Sequence, residues 1–169
     1  ENHSIEEAIR LFELACEKIS AAQKRFNSLR QYFQKDFERL QDIAVIEALA
    51  TQFDSAKNIL KFYLLRRELY FAEESASQLQ LLEEMKTLIT AEMSNSRKMI
   101  ELCKQDSRLG FHSEAESHLY CESRLEWRIE SLQNLLDNDF VEFAQAIQAQ
   151  KTLPISEFSE NAEVYKLNS

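Results

Sequence analysis

An all-α fold, an antiparallel bundle of about four long helices with a long structured loop before the last one, follows from three observations. The chain of 169 residues holds 1 Gly and 1 Pro, so the turn chemistry that β-hairpins need at short intervals is missing. Its apolar residues recur at steps of three and four along four stretches, the spacing that lines one face of a helix. Apolar residues make up 44 % and charged residues 29 %, the balance of a helical protein with a buried core.

The first helix is announced by Ser4-Ile5-Glu6-Glu7, a capping box with Ser at the N-cap and Glu three positions on. Ile5, Ala8, Phe12, Ala15, Ile19, Ala22 and Phe26 then form one stripe, so this helix runs from residue 5 to the high twenties. Leu29, Phe33, Phe37 and Leu40 continue at helical spacing as a shorter piece beyond a bend at Asn27-Ser28. A second stripe, Ile46, Leu49, Phe53, Ala56, Leu60, Tyr63, Arg67 and Tyr70, marks a helix from near Asp42 to about Glu74, with Ser75-Ala76-Ser77 as the next soft point. The third stripe is Leu82, Met85, Ile89, Met93, Ser96, Ile100 and Cys103, ending at Asp106-Ser107. The fourth is Leu125, Ile129, Leu132, Leu136, Phe140, Phe143 and Ile147. Ser123-Arg124-Leu125-Glu126 matches a second capping box, although Cys121 also fits as the start. Four such stripes with seams of period near 3.5 pack as an antiparallel bundle, and their Phe and Tyr residues read as core.

Residues 1–150 therefore read as the bundle domain and 151–169 as a linker. Pro154 breaks the pattern, no helical stripe follows it, and Val164-Tyr165-Lys166-Leu167 alternates like the start of a strand. A lone strand is unstable, so the segment reads as the opening of a following β domain; the other reading is a tail without structure of its own. The first residue is not Met, so the chain reads as a piece of a longer protein, and the compartment stays open.

Charge and composition exclude several functions. A net charge of −9 repels phosphate backbones, which argues against nucleic acid. The longest apolar runs, such as Ile43 to Ile46 and Phe62 to Leu65, are about four residues where a membrane span needs roughly 20. A single glycine excludes the phosphate-binding loop and the dinucleotide fingerprint. No Glu-x-x-His, H-E-x-x-H or G-x-S-x-G occurs, so di-iron, zinc-protease and serine-hydrolase sites lack their signatures. Cys16, Cys103 and Cys121 fit no zinc spacing; Cys16 and Cys103 are expected in the core. No cofactor is expected.

One stretch resists the helical reading. DSRLGFHSEAESHLY, residues 106–120, holds the sole glycine, Gly110, and alternates imidazole and acid at His112, Glu114, Glu116 and His118. Gly110 suits a reversal at positive φ, and Asp106 and Ser107 suit a helix end. The plain reading is a connection between helices. It is longer than the usual roughly 2–8 residues, and loops of that length carry contacts. A zinc site from the two imidazoles and two carboxylates is chemically conceivable, but neighbouring ligands on an extended chain seldom converge on one ion. Glu114 and Glu116 can stand apart like the two carboxylates of a glycosidase, yet no cleft is supplied to them, so no catalytic or metal residue is assigned. The contact loop comprises Asp106, Arg108, His112, Glu114, Glu116, His118 and Tyr120. Trp127 reads as half-buried against it. Arg67, on an apolar stripe, needs a buried partner or a route to solvent, and an acid of this loop is one candidate partner.

The run Asn95-x-x-x-Met99-Ile100-x-Leu102, then Asp106 to Glu116, then Leu125-Glu126-Trp127-Arg128-Ile129, resembles a stretch of large bacterial glycoside-hydrolase-like proteins. The likeness is specific over residues 95–130 and general over 1–90. Ser117 departs from it, standing where the family pattern has glycine. In such proteins a (β/α)8 barrel precedes a helical domain, and a β-sandwich similar to carbohydrate-binding family 9 modules follows. The resemblance implies a non-catalytic accessory domain that braces the barrel. Its partners would be the neighbouring domains, and its loop would touch the barrel or its glycan. The family's catalytic acids belong to the barrel, so none is carried over. The rival reading is a stand-alone helical interaction module, which needs an exposed apolar groove for a partner helix.

Overall fold

Helix ends show how local chemistry sets the architecture. In the computed structural model, which describes residues 4–112, 117–118, 121–151 and 153, with only the backbone at 111–112 and 117–118, Ser4 caps α1 (Ile5–Leu29) and its hydroxyl accepts from the Glu7 amide at 3.1 Å. The expected bend at Asn27-Ser28 comes two residues later: Ser28 Oγ donates back to the Arg25 carbonyl at 2.7 Å, and one 3₁₀ turn, Arg30–Tyr32, follows. The separate short helix expected through Phe33, Phe37 and Leu40 does not form. Asp36 is the stronger cap, its carboxylate accepting from the Arg39 amide at 3.2 Å, so α2 (Phe37–Phe71) begins there, before Asp42.

α2 ends three residues before Glu74. Ala72 is extended, and its carbonyl takes a 2.8 Å bond from the Gln78 side chain. α3 (Ser75–Gln105) follows directly. α4 (Glu122–Asp137) starts after Cys121 rather than Ser123, so the second capping box is not used. The fourth stripe is broken once, at Asn138, whose side chain bonds back to Asn134, and α5 (Asp139–Gln148) completes it.

The helices pack largely in chain order and antiparallel: α1 on α2, α2 on α3, α3 on α4 and α5. Two apolar clusters hold them. One joins Leu69, Leu82, Met85, Ile89, Met93, Phe140 and Ile147; the other joins Ala44, Ala48, Met99, Ile100, Leu102 and Leu125. The third stripe is buried from Leu82 to Ile100, as its spacing requires, while Cys103 and Cys16 are only half-buried.

α2 departs most from its stripe. Leu49 and Tyr63, expected in the core, are 40 % and 53 % exposed. The helix is apolar on three seams, because it lies between two neighbours. Ala44, Ala48, Thr51 and Asn58 are buried along one seam. Phe53, Lys57 and Arg67 meet α1 on another, with Phe12 and Phe53 rings 5.9 Å apart. The third, Val45, Leu49, Ile59 and Tyr63, faces outward. α1 is an outer helix with Ile9 alone fully buried. Arg67 takes its partner there: it pairs with Glu6 of α1, not with an acid of the 106–120 loop. Among the described residues, no helix is long and apolar enough to cross a membrane.

Candidate functional site

The loop begins with a staple. Asp106, at the C-terminus of α3, is 2 % exposed. Its Oδ1 accepts from the Arg108 amide at 3.0 Å and from Arg108 Nε at 2.9 Å, and its Oδ2 accepts from the guanidinium at 2.7 Å. Arg108 also donates to Gln41 Oε1 on α2 at 3.3 Å. The hydrogen bonds from Arg108 hold the Asp106 carboxyl below its ordinary pKa. A turn closes as the Leu109 amide bonds the Asp106 carbonyl at 3.1 Å, and Gly110 takes φ 83°, the region where a side chain would clash.

The chain then forms a short antiparallel ladder, β1 (Phe111–His112) with β2 (Ser117–His118). Its register pairs His112 with Ser117 and Phe111 with His118, so the two histidines are not cross-strand partners. Of the contact loop, the structure thus brings Asp106 and Arg108 together. His112 and His118 are described by backbone alone, and Glu114, Glu116 and Tyr120 lie outside the described residues. Among the described residues no three His, Cys, Asp or Glu side chains gather as metal ligands. Trp127, expected half-buried, is 69 % exposed, because it points off the α4 face that Leu125 and Ile129 turn to α3.

Sequence reasoning missed a second polar cluster. Glu92 on α3 is buried, and four donors from three helices surround it. Ser55 Oγ donates to Oε1 at 2.6 Å, Arg128 pairs with Oε1 at 2.9 Å, and the Asn58 and Asn95 amides reach Oε2 at 3.4 Å each. The signal was present: Ser55 and Asn58 fall in the Ala44-Ala48-Thr51 seam of α2, and a polar pair on a buried seam asks for a partner. No buried side-chain nitrogen or oxygen among the described residues lacks one.

Beside this cluster a cleft of about 230 Å³ opens between α2 and α4, floored by α3. Ile59, Phe62, Tyr63, Leu132 and Leu135 wall it, with Arg66, Glu92 and Arg128 at its polar edge. The Glu92 carboxylate is fully engaged in structure, so the cleft offers apolar surface rather than an acid–base pair. Cysteine chemistry differs by position. Burial raises the Cys16 and Cys103 thiols, whereas a hydrogen bond from Ser123 and the backbone at the start of α4 lower Cys121. The chain matches no protein-family model, no curated protein and no solved structure.

Proposed function

We propose that this chain is a non-catalytic helical accessory domain of a multidomain carbohydrate-active protein, bracing a barrel and presenting loop 106–120 to it or to its glycan. One observation supports the reading above others: Arg108 grips Asp106 and Gln41 together, so the base of the loop is fixed on the bundle. A loop held at its base offers a contact surface at low ordering cost. The buried acid Glu92 is committed to holding helices together and Asp106 to holding the base of the loop, in keeping with a scaffold.

The test is to read the coding sequence on both sides of these residues and to assay the purified chain on a glycoside panel. A barrel-length region upstream, strand-rich sequence downstream and no hydrolysis by the chain are expected. Start and stop codons at its ends, or turnover that disappears in Glu114→Gln or Glu116→Gln, overturn the reading. A stand-alone interaction module is the second reading, favoured by the apolar corner where Tyr32 and Phe37 stand 73 % and 65 % exposed.

A further inference from the structure

Two cysteines stand at the two ends of the loop. Cys103 lies in the last turn of α3, and Cys121 is the N-cap of α4. Because α3 and α4 pack antiparallel, the end of one helix meets the start of the other. The residues next to the two cysteines already touch: Lys104 pairs with Glu122 across the gap at 2.8 Å. Cys103 packs against the apolar cluster that contains Leu125, and the Leu125 amide bonds the Cys121 carbonyl at 3.0 Å. Burial raises the Cys103 thiol, and charge on Cys121 adds to that rise, so the two sulfurs sense one another. Both sulfur contacts are long: Cys103 Sγ to the Leu109 carbonyl at 3.9 Å, and Cys121 Sγ to Ser123 Oγ at 3.5 Å. Cys121 is extended, at φ −134° and ψ 159°, so its side chain can turn toward α3 without disturbing the helical ladder. Cys16 sits apart on α1, which packs on α2.

We propose that Cys103 and Cys121 are a reactive thiol pair that closes to a disulfide across the base of the loop, with a small disulfide such as oxidised glutathione as the oxidant. Cys121 is the attacking group, its thiol lowered by Ser123 and the backbone at the start of α4. Its thiolate displaces one glutathione thiolate and forms a mixed disulfide. The Cys103 thiol then gives up its proton and attacks the Cys121 sulfur, expelling the second glutathione. Two protein thiols are oxidised, one glutathione disulfide is reduced to two thiols, and the two protons lost by the protein end on the departing sulfurs. Its raised thiol makes Cys103 slow toward an external disulfide, which fits the resolving member of such a pair. The bond encloses residues 104–120. It ties the far end of the loop, as the Asp106–Arg108 staple ties the near end. A cross-link over a loop of this length stabilises by restricting the unfolded chain. The pairing concerns the loop's base and stands whatever the loop touches.

The experiment equilibrates the full chain in buffers of stepped oxidised-to-reduced glutathione ratio. Each sample is quenched with an alkylating agent, digested with trypsin without reduction and read by mass spectrometry. The expected product is peptide 99–104 joined to peptide 109–124, from protein that runs as a monomer on a non-reducing gel. Cys103→Ser is expected to stop at the mixed disulfide, with glutathione held on Cys121. Cys121→Ser is expected to leave Cys103 reduced, and Cys16→Ser to form the bond as the unaltered chain does. The oxidised chain should unfold at a higher urea concentration than its reduced form, a shift that Cys103→Ser loses. An unaltered chain that stops at glutathione on Cys121 overturns the proposal. So do a bond from either cysteine to Cys16, a bond between two copies, and a urea midpoint that oxidation leaves unmoved.

Discussion

Glu92 of α3 and Arg128 of α4 form an ion pair at 2.9 Å in which the acid is 8 % exposed and the arginine 31 %. Together with Ser55 and Asn58 of α2, the pair joins three helices at one point. Removing one partner of a buried pair leaves an uncompensated charge. Arg128→Leu is therefore expected to destabilise the chain by about 3 kcal/mol, read from urea unfolding. Adding Glu92→Gln, which keeps the acceptor for Ser55 without the charge, should recover part of that loss. A double variant no more stable than Arg128→Leu shows the charge is not what matters there.

The Asp106–Arg108 staple has a defined pH dependence. The folded-state pKa of Asp106 is lowered by Arg108, so its contribution is complete above the unfolded carboxylate pKa. It fades as pH falls through the lower, folded value. The stability gap between the unaltered chain and Arg108→Leu should be widest near neutrality and narrow in acid. A gap that does not change from pH 7 to pH 3 removes the carboxylate from the account.

Thiol reactivity separates the cysteines. Cys121 is lowered, while Cys16 and Cys103 are raised by burial, and the thiolate is the reacting form. Timed iodoacetamide labelling followed by peptide mass spectrometry should find Cys121 modified first. Early labelling of Cys103 contradicts this order.

Core and outer seams predict unequal losses. Leu82 is 1 % exposed, and Leu82→Ala is expected to cost about 3 kcal/mol. Leu49 is 40 % exposed, and Leu49→Ala should cost less than about 1 kcal/mol. Comparable losses from chemical denaturation argue that the outer seam of α2 is covered in solution.

The bundle was legible because α1, α3 and the α4–α5 stripe each turn one face inward, and period alone reveals one face. α2 was legible as a helix but not as a surface. A helix with neighbours on two sides is apolar nearly all round, and no single stripe tells which seam stays outside, so Leu49 and Tyr63 were misplaced. Boundaries slipped where two caps competed, as Asp36 did with Asp42. Of the loop, the helix end at Asp106 and the positive φ of Gly110 were readable from local chemistry. Of the Glu92 cluster, the polar pair Ser55 and Asn58 was a readable signal, but its partners were not, because Glu92 and Arg128 lie on other helices and only packing assembles them.

The packing of each helix mainly on its chain neighbours also bears on how the molecule is made. Contacts between consecutive hairpin partners close short loops first, so little chain entropy is lost before each docking is rewarded. The two apolar clusters lie on α2, α3, α4 and α5, so the nucleus is expected among those helices. α1, with Ile9 alone fully buried, can join last and leave first. Its amides should exchange with solvent ahead of those of α3, a late-docking outer layer over an already folded hub.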